Sequence, residues 1–416
     1  MSLSSKINFL TILILTPLAV QANLWFDVVP LQELLQLDPT IQYQKCFDEL
    51  PFNHEPFPLS INPASHPNQG SFKETFILTI PNGRVQGEYG FVVTNDHFIK
   101  EMMWKDIEQH LNLVQQIPDD QVIRVSGRVA VIAQLAYFNY WHWTTEVLCR
   151  LALLELAGVE YDYLYVPQSA HFMKETLALW GIPTEKIINP THGAFCIQAD
   201  ELIIPSLVSN VSFGCVLFSC YAQPHLLKYV KEKLLAAAQK IEPTLDLHKK
   251  VFISRKDATQ RTILNEDRVF ALFQAEGFHS FQLEKMSVAE QILLFNNADI
   301  IVSPQGTGLA NSIYCQENTR VVELFQGLND ATFWYLSQTL GLHYTPIKTT
   351  TFFTEYVTAW KSNTYMPLYI IKKVIEDLKK DPASLLATQP SPLAMAGTVL
   401  RFEKKEDPAS LSAMPR

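Results

Sequence analysis

The chain lacks the marks of several common function classes. It has no basic run, and its 33 Lys and Arg are outnumbered by 42 Asp and Glu, giving a net charge of −9. A general nucleic-acid binder needs the opposite balance. None of the six cysteines (Cys46, Cys149, Cys196, Cys215, Cys220, Cys315) forms a C-x-x-C pair, so a zinc ribbon or a thioredoxin-type centre has no ligands to stand on. No Walker lysine is present, and the Gly306-x-Gly308 pair lacks the last glycine of a dinucleotide fingerprint, which disfavours ATP and NAD chemistry. Beyond the first 22 residues there is no apolar run of membrane-spanning length. Asp381–Leu385 recurs as Asp407–Leu411, too short a unit for a repeat fold.

What remains is a chain of 416 residues, near half of them apolar. That length is enough for two or three domains with real cores. Residues 1–22 have the layout of a targeting segment: Lys6, an apolar region Ile7–Val20, and a small-residue cleavage pattern Val20-Gln21-Ala22. They read as a signal peptide or an uncleaved anchor, with a buried N-terminal helix as the alternative. Residues 23–70 are Pro-rich and read as an irregular lead-in. From Phe72 the pattern turns to strands, with a hairpin signal at Asn82-Gly83 and further strands at Gln121–Val125 and Arg128–Ala133. A strand at Tyr161–Val166, a capped helix Ser169–Trp180 and a long amphipathic helix Pro224–Ile241 complete a first α/β domain over 71–241. Glu242–His248 is the linker to a second domain, 248–350. A closing helix falls in 365–380, and 381–416 has the composition of a disordered tail. Cys215 and Cys220 are close enough in sequence to bridge in an oxidising compartment, and Asn210-Val-Ser212 is a glycosylation pattern.

The second domain is organised by residues 250–326. Val251–Ser254 is a buried strand followed by Arg255, and Asn265 stands as the N-cap of a helix running to Gly277. Ser287 and Glu290 form an S-x-x-E capping box for another helix. Asp299–Val302 is a strand that enters the loop Gln305-Gly306-Thr307-Gly308-Leu309, a short helix follows, and Val321–Phe325 is a third strand ending near Glu323. Strand, helix, strand, helix, strand predicts a parallel sheet with ligands at the carboxyl ends of its strands. The glycine loop feeding a helix N-terminus offers N–H groups to phosphate. Arg255 and Arg261 add fixed positive charge, and Glu323 is placed to accept from ribose hydroxyls. The pattern suggests a nucleotide-diphosphate site.

A second stretch, Phe138-Asn-Tyr-Trp-His142-Trp-Thr-Thr-Glu146-Val-Leu-Cys-Arg150-Leu151, opens a helix after a strand. His142, Glu146 and Arg150 recur every four residues and so share a face. A His–carboxylate pair there suits a general base; an aromatic helix packed into the core is the alternative reading.

These residues together resemble glycosyltransferase family 61. The resemblance rests on Asn139-x-x-His142-Trp143, Glu146, Arg150-Leu151, Ile253-Ser254-Arg255, Arg261-x-Ile263-x-Asn265-Glu266, Glu290-Gln291-Ile292, Pro304-x-Gly306-x-Gly308-Leu309 and Val322-Glu323-Leu324. The family includes plant xylan-decorating transferases, animal O-GlcNAc transferases and bacterial relatives. The resemblance implies a GT-B-type enzyme, two Rossmann-like domains facing a cleft, here with an added β-rich N-terminal portion. It implies an inverting transfer of GlcNAc, xylose or a similar sugar from a UDP-linked or related donor to a hydroxyl of a glycan or glycoprotein. No cofactor or divalent ion is required on this reading, and no nucleic acid is a partner. His142 and Glu146 become the catalytic candidates. Arg255, Arg261, Gln305, Gly306, Thr307, Gly308, Leu309 and Glu323 become donor-binding candidates, and Asn139, Arg150, Glu290 and Gln291 supporting ones. Two departures stand out: many relatives have Asp where this chain has Glu146, and His where it has Gln305. A non-catalytic glycan- or nucleotide-binding protein is the alternative. The leader points to a secretory lumen or an N-terminal or peripheral attachment to a membrane; the bacterial cytoplasm or inner-membrane face is the other option.

Overall fold

The computed structural model describes residues 27–58, 68–94, 97–102, 114, 116–209, 222–325, 331–348 and 363–380. The leader, Asn210, Cys215, Cys220 and the tail 381–416 lie outside the described residues. The fold is mixed α/β, built on two principal sheets.

The first sheet has ten strands. Its parallel heart is β9 (Ile123–Val131), β10 (Tyr163–Tyr165), β11 (Ile187–Ile188) and β12 (Cys196–Pro205), in the order β12-β9-β10-β11. Along β9, Val129 and Val131 enter one hydrophobic core and Ala130 the other. Both faces are covered at this end, which is why Val129-Ala130-Val131 reads as an unbroken apolar run while the first six residues of β9 are mixed. Between the strands run α2 (Tyr140–His142), a π-helical turn Trp143–Val147, α3 (Leu148–Leu156) and α4 (His171–Trp180). α4 begins two residues later than the sequence suggests, with Ala170 at its N-cap and no side-chain cap. β9 is one strand rather than two; an irregularity opposite Ala199 and Glu201 absorbs Gly127, whose φ is +104°.

The N-terminal strands extend this sheet. β5 (Thr75–Pro81) and β6 (Arg84–Gln86) both pair antiparallel with β12, one beyond the other. Asn82-Gly83 is therefore not a hairpin. Asn82 takes a φ of +53° and donates its N–H to Asp200 O, making a kink within one line of strand. The hairpin lies one step later, between β6 and β7 (Phe91–Thr94), where Gly87 and Gly90 hold φ of +69° and +64°. The lead-in is also ordered. β1 (Asp27–Val29) pairs with β8 (His97–Ile99), β2 (Gln42–Phe47) pairs with β5, and α1 (Leu31–Leu37) buries Leu31 and Leu34. β3 (Leu50–Asn53) and β4 (Gln69–Phe72) form a two-stranded ribbon. Proline there marks edges and turns, which the sheet tolerates.

The second sheet is parallel throughout: β13 (Lys250–Ile253), β14 (His279–Phe281), β15 (Ile300–Pro304), β16 (Arg320–Phe325) and β17 (His343–Lys348). Their order, β14-β13-β15-β16-β17, is the doubly wound 2-1-3-4-5 pattern. One face is covered by α6 (Glu266–Gln274) and the helix Leu368–Leu378 through Val269, Phe273, Ile371 and Val374. The other face shares a core with the first sheet: α5 (Pro224–Ala238) packs on α3 and α4 and also on α7 (Val288–Asn297). α8 (Thr332–Leu340) carries Trp334 and Tyr335, which meet Phe57 and His54 of the N-terminal segment. No helix among the described residues is long and apolar enough to cross a membrane.

Candidate active site

In a 2-1-3-4-5 sheet the chain turns opposite ways from the first and third strands, and their carboxyl ends splay to leave a crevice. Here those strands are β13 and β15. Ser254 and Arg255 leave the first; Gln305 and Gly306 leave the second. The Arg255 guanidinium lies directly over Gly306: a Cβ at that position would overlap it, with Cζ only 3.0 Å away. Glycine is required there for close approach. Its φ of 174° is ordinary extended backbone. Gly308 is bare for a similar reason, since a Cβ would sit 2.7 Å from Leu283 Cδ1. The short helix expected near Leu309 is a 3-10 helix, Thr307–Tyr314, in which Leu309 is fully buried.

Arg255 is fixed from several sides. Its N–H and the Ser254 hydroxyl both reach the buried Glu266 carboxylate, and its Nη2 donates to Gln260 O at 3.2 Å. Its Nε has no hydrogen-bond partner among the described residues. Burial and the neighbouring Arg261 charge pull its pKa from 12.5 down to about 10, still protonated at neutral pH. Two guanidiniums in partial desolvation repel each other, and an anion between them removes that cost. Lys256 and Lys285 near the same edge are already paired, with Asp267 and Asp257.

Asn265, expected to cap α6, does not: its carboxamide makes two hydrogen bonds to the backbone of Met366. Glu323 faces inward between the sheets, fully buried, and accepts from Tyr344 at 2.5 Å. Its Oε2 is thus engaged in a core hydrogen bond. Gln305 is 3 % exposed and donates its backbone N–H to Leu324 O.

The other group sits on the helix after β9. Asn139 caps it, accepting from Trp141 N at 2.9 Å. The π turn Trp143–Val147 adds a residue to the helix, a device often found at functional positions. His142 Nδ1 meets Glu146 Oε1 at 2.6 Å, and Gln134 Nε2 donates to Glu146 Oε2 at 2.5 Å. With both oxygens engaged, the carboxylate orients the ring, and a proton on Nδ1 leaves the lone pair on Nε2. Arg150 shares that face as expected but serves the scaffold. It is 2 % exposed and donates to the carbonyls of Val131, Ala133 and Pro205 at 2.8–3.1 Å. Burial draws its pKa down to about 9, opposed by the Glu146 charge.

Gln291 and Glu290 part company. Glu290 closes the capping box with Ser287 and also holds Thr244 of the linker; that contact keeps its carboxyl below the usual range. These contacts tie the start of α7 to the linker. Gln291 instead belongs to a chain of hydrogen bonds joining the two groups. Tyr140 OH donates to Asn311 Oδ1 at 2.7 Å, Asn311 Nδ2 donates to Gln291 Oε1 at 2.9 Å, and Gln291 Nε2 holds Leu283 O and Met286 O. Trp141 meets Phe333 edge-on, with ring centroids 5.2 Å apart. The helix bearing His142 is thus seated on the 3-10 helix that follows the glycine loop. Gln134, Glu266 and Asn311 were not assigned roles from sequence. Gln134 lies in an unpatterned turn after β9, and only the packed structure brings it to Glu146.

Among the described residues no three His, Cys, Asp or Glu side chains converge as a metal site. A search of curated proteins found no match. Residues 140–322 match the model of one protein family, described as Glycosyltransferase 61. The matched region runs from the first turn of the His142 helix through the glycine loop to β16, and over it the chain is similar to glycosyltransferase family 61.

Proposed function

We propose that this protein is an inverting glycosyltransferase of GT-B type that takes its sugar from a nucleoside-diphosphate donor, UDP-linked on the family's pattern, and passes it to a hydroxyl of a glycan or glycoprotein. The observation that carries the reading is the Arg255 guanidinium lying on the Gly306 backbone at the β13/β15 switch point, with Arg261 beside it. In this reading the donor diphosphate occupies that crevice, met by both arginines and the N–H groups of residues 306–309. Those charges take the place of a divalent ion.

His142 is the base. Glu146 has both oxygens engaged and holds the ring in the tautomer that presents Nε2. The acceptor O–H bond breaks as its proton passes to Nε2, and the oxygen forms the new bond to the anomeric carbon. The bond from that carbon to the donor phosphate oxygen breaks on the opposite side, and its electron pair leaves with the diphosphate. Configuration at the anomeric carbon inverts. General-base assistance of this kind contributes roughly 10²–10⁴-fold.

The units are the two sheets with their helices, divided in the 242–248 linker, and the leader assigns the protein to a secretory lumen, cleaved or as an anchor. The test is release of nucleoside diphosphate from a panel of nucleotide sugars, with product stereochemistry read by NMR and His142→Ala as control. The account expects one donor class to turn over with inversion. One residue favours a second reading, binding without transfer: Gln305 cannot take up a proton near neutral pH as the relatives' histidine can. Turnover no higher than in His142→Ala would select it.

A further inference from the structure

Arg261 holds a backbone conformation that its own sequence does not impose. Its φ is +58°, in the left-handed region that side chains bearing a Cβ adopt at a cost. It also lies close enough to Arg255 for the two charges to oppose each other. Strain and repulsion both work against this placement, and contacts of the adjoining backbone offset them.

The residues after it are gripped by a segment about a hundred positions further on. Thr262 N donates to Asn363 Oδ1 at 3.0 Å, Thr364 N donates to Thr262 O at 2.9 Å, and Leu264 N donates to Thr364 O at 2.8 Å. Ile263 and Thr364 pair as a parallel bridge, and Asn265 is bonded twice to Met366. The segment then runs into Leu368–Leu378, whose Ile371 and Val374 are anchored in the core under α6. Asn363 supplies the contact nearest Arg261, and it is half-buried, so its side chain can be shortened without opening the core.

We propose that Asn363–Met366 is a positioning strap for Arg261, and that the Asn363 carboxamide sets the arginine against the diphosphate. The inference rests on the reading of Arg261 as a diphosphate ligand. The strap touches no ligand; it acts through Arg261, so Asn363 is a positioning residue.

The test is calorimetric titration of the full chain with UDP, GDP and CDP, then with the monophosphate of whichever binds best. Asn363→Ala is expected to weaken the diphosphate about three- to tenfold, the scale of one hydrogen bond, and to lower the diphosphate-to-monophosphate affinity ratio. In an Arg261→Ala background the same change is expected to have no further effect, because a positioning residue has nothing left to position. Thermal unfolding checks that each variant folds; if Asn363→Ala does not, Asn363→Ser carries the same expectation. An additive loss in the double variant, or no loss in Asn363→Ala while Arg261→Ala weakens binding, overturns the strap alone. Wild-type protein that binds none of the three overturns the donor-site reading together with it.

Discussion

The two candidate groups treat charge in opposite ways. Around His142 every ionisable group is buried and answered from within: Glu146 by His142 and Gln134, Arg150 by three carbonyls and by Glu146. At the β13/β15 crevice two arginines of one sign stand together, partly desolvated, with a buried Nε donor on Arg255 left without a hydrogen bond. The first group is complete as it stands and is built to hold one imidazole still. The second suits an anion, which is the ligand the proposed function brings to it. A buried charge network fixes orientation; like charges crowded at a strand end suit a ligand of opposite sign.

The comparison can be broken from either side. The largest effect is expected at His142. His142→Ala should lower transfer roughly 10²–10⁴-fold while leaving diphosphate affinity intact, as read by initial rates beside calorimetry. Arg150→Met should do the reverse. It leaves three buried carbonyls without their donor and Glu146 without its opposing charge, and a cost of about 3–5 kcal/mol in urea unfolding is expected. Arg255→Ala should cost about 2.7–4 kcal/mol of transition-state stabilisation, seen in kcat/KM, with little change in Tm because no other side chain depends on it for pairing. Gly306→Ala sharpens the point. The atoms nearest the added methyl belong to the Arg255 side chain and not to backbone, so the fold should survive while diphosphate affinity falls roughly tenfold.

The smallest effect concerns the N-terminal segment on α8. Burial holds the His54 pKa below its ordinary value of 6.5. The unfolded chain therefore binds the proton more readily, and the stability this contact contributes is present at neutral pH and lost as pH falls below about 6.5. His225 is shifted the same way by burial. His54→Phe should flatten part of the loss in Tm between neutral and mildly acid pH; an unchanged profile would remove His54 from that account.

Sequence periodicity carried the central strands β13, β15 and β16 well, because they are buried on both faces and read as short apolar runs; it gave no sign of β14, whose His279 and Ser280 are polar and exposed. It also carried the shared face of His142, Glu146 and Arg150, which helical spacing dictates. It failed where a local signal had two structural solutions. Asn82-Gly83 satisfies a hairpin turn and a strand kink equally, and only the long β12 alongside decides. Asn265 suits an N-cap, yet Met366 competes for its carboxamide and wins. Glu323 lies within β16, two residues before its end, and the alternation of the strand turns it toward Tyr344. The contacts that assemble the site, Gln134 to Glu146, Tyr140 to Asn311 and Asn363 to Thr262, join residues with no shared period, so no pattern in the chain announces them.

The central claim is that the crevice at Arg255 and Gly306 holds the donor diphosphate while His142 acts beside it. Titration of wild type, Arg255→Ala and His142→Ala with UDP, GDP and CDP tests this most directly. The account predicts that wild type binds one of the three, that His142→Ala binds it equally well, and that Arg255→Ala loses it. Equal binding by Arg255→Ala and wild type would contradict the account.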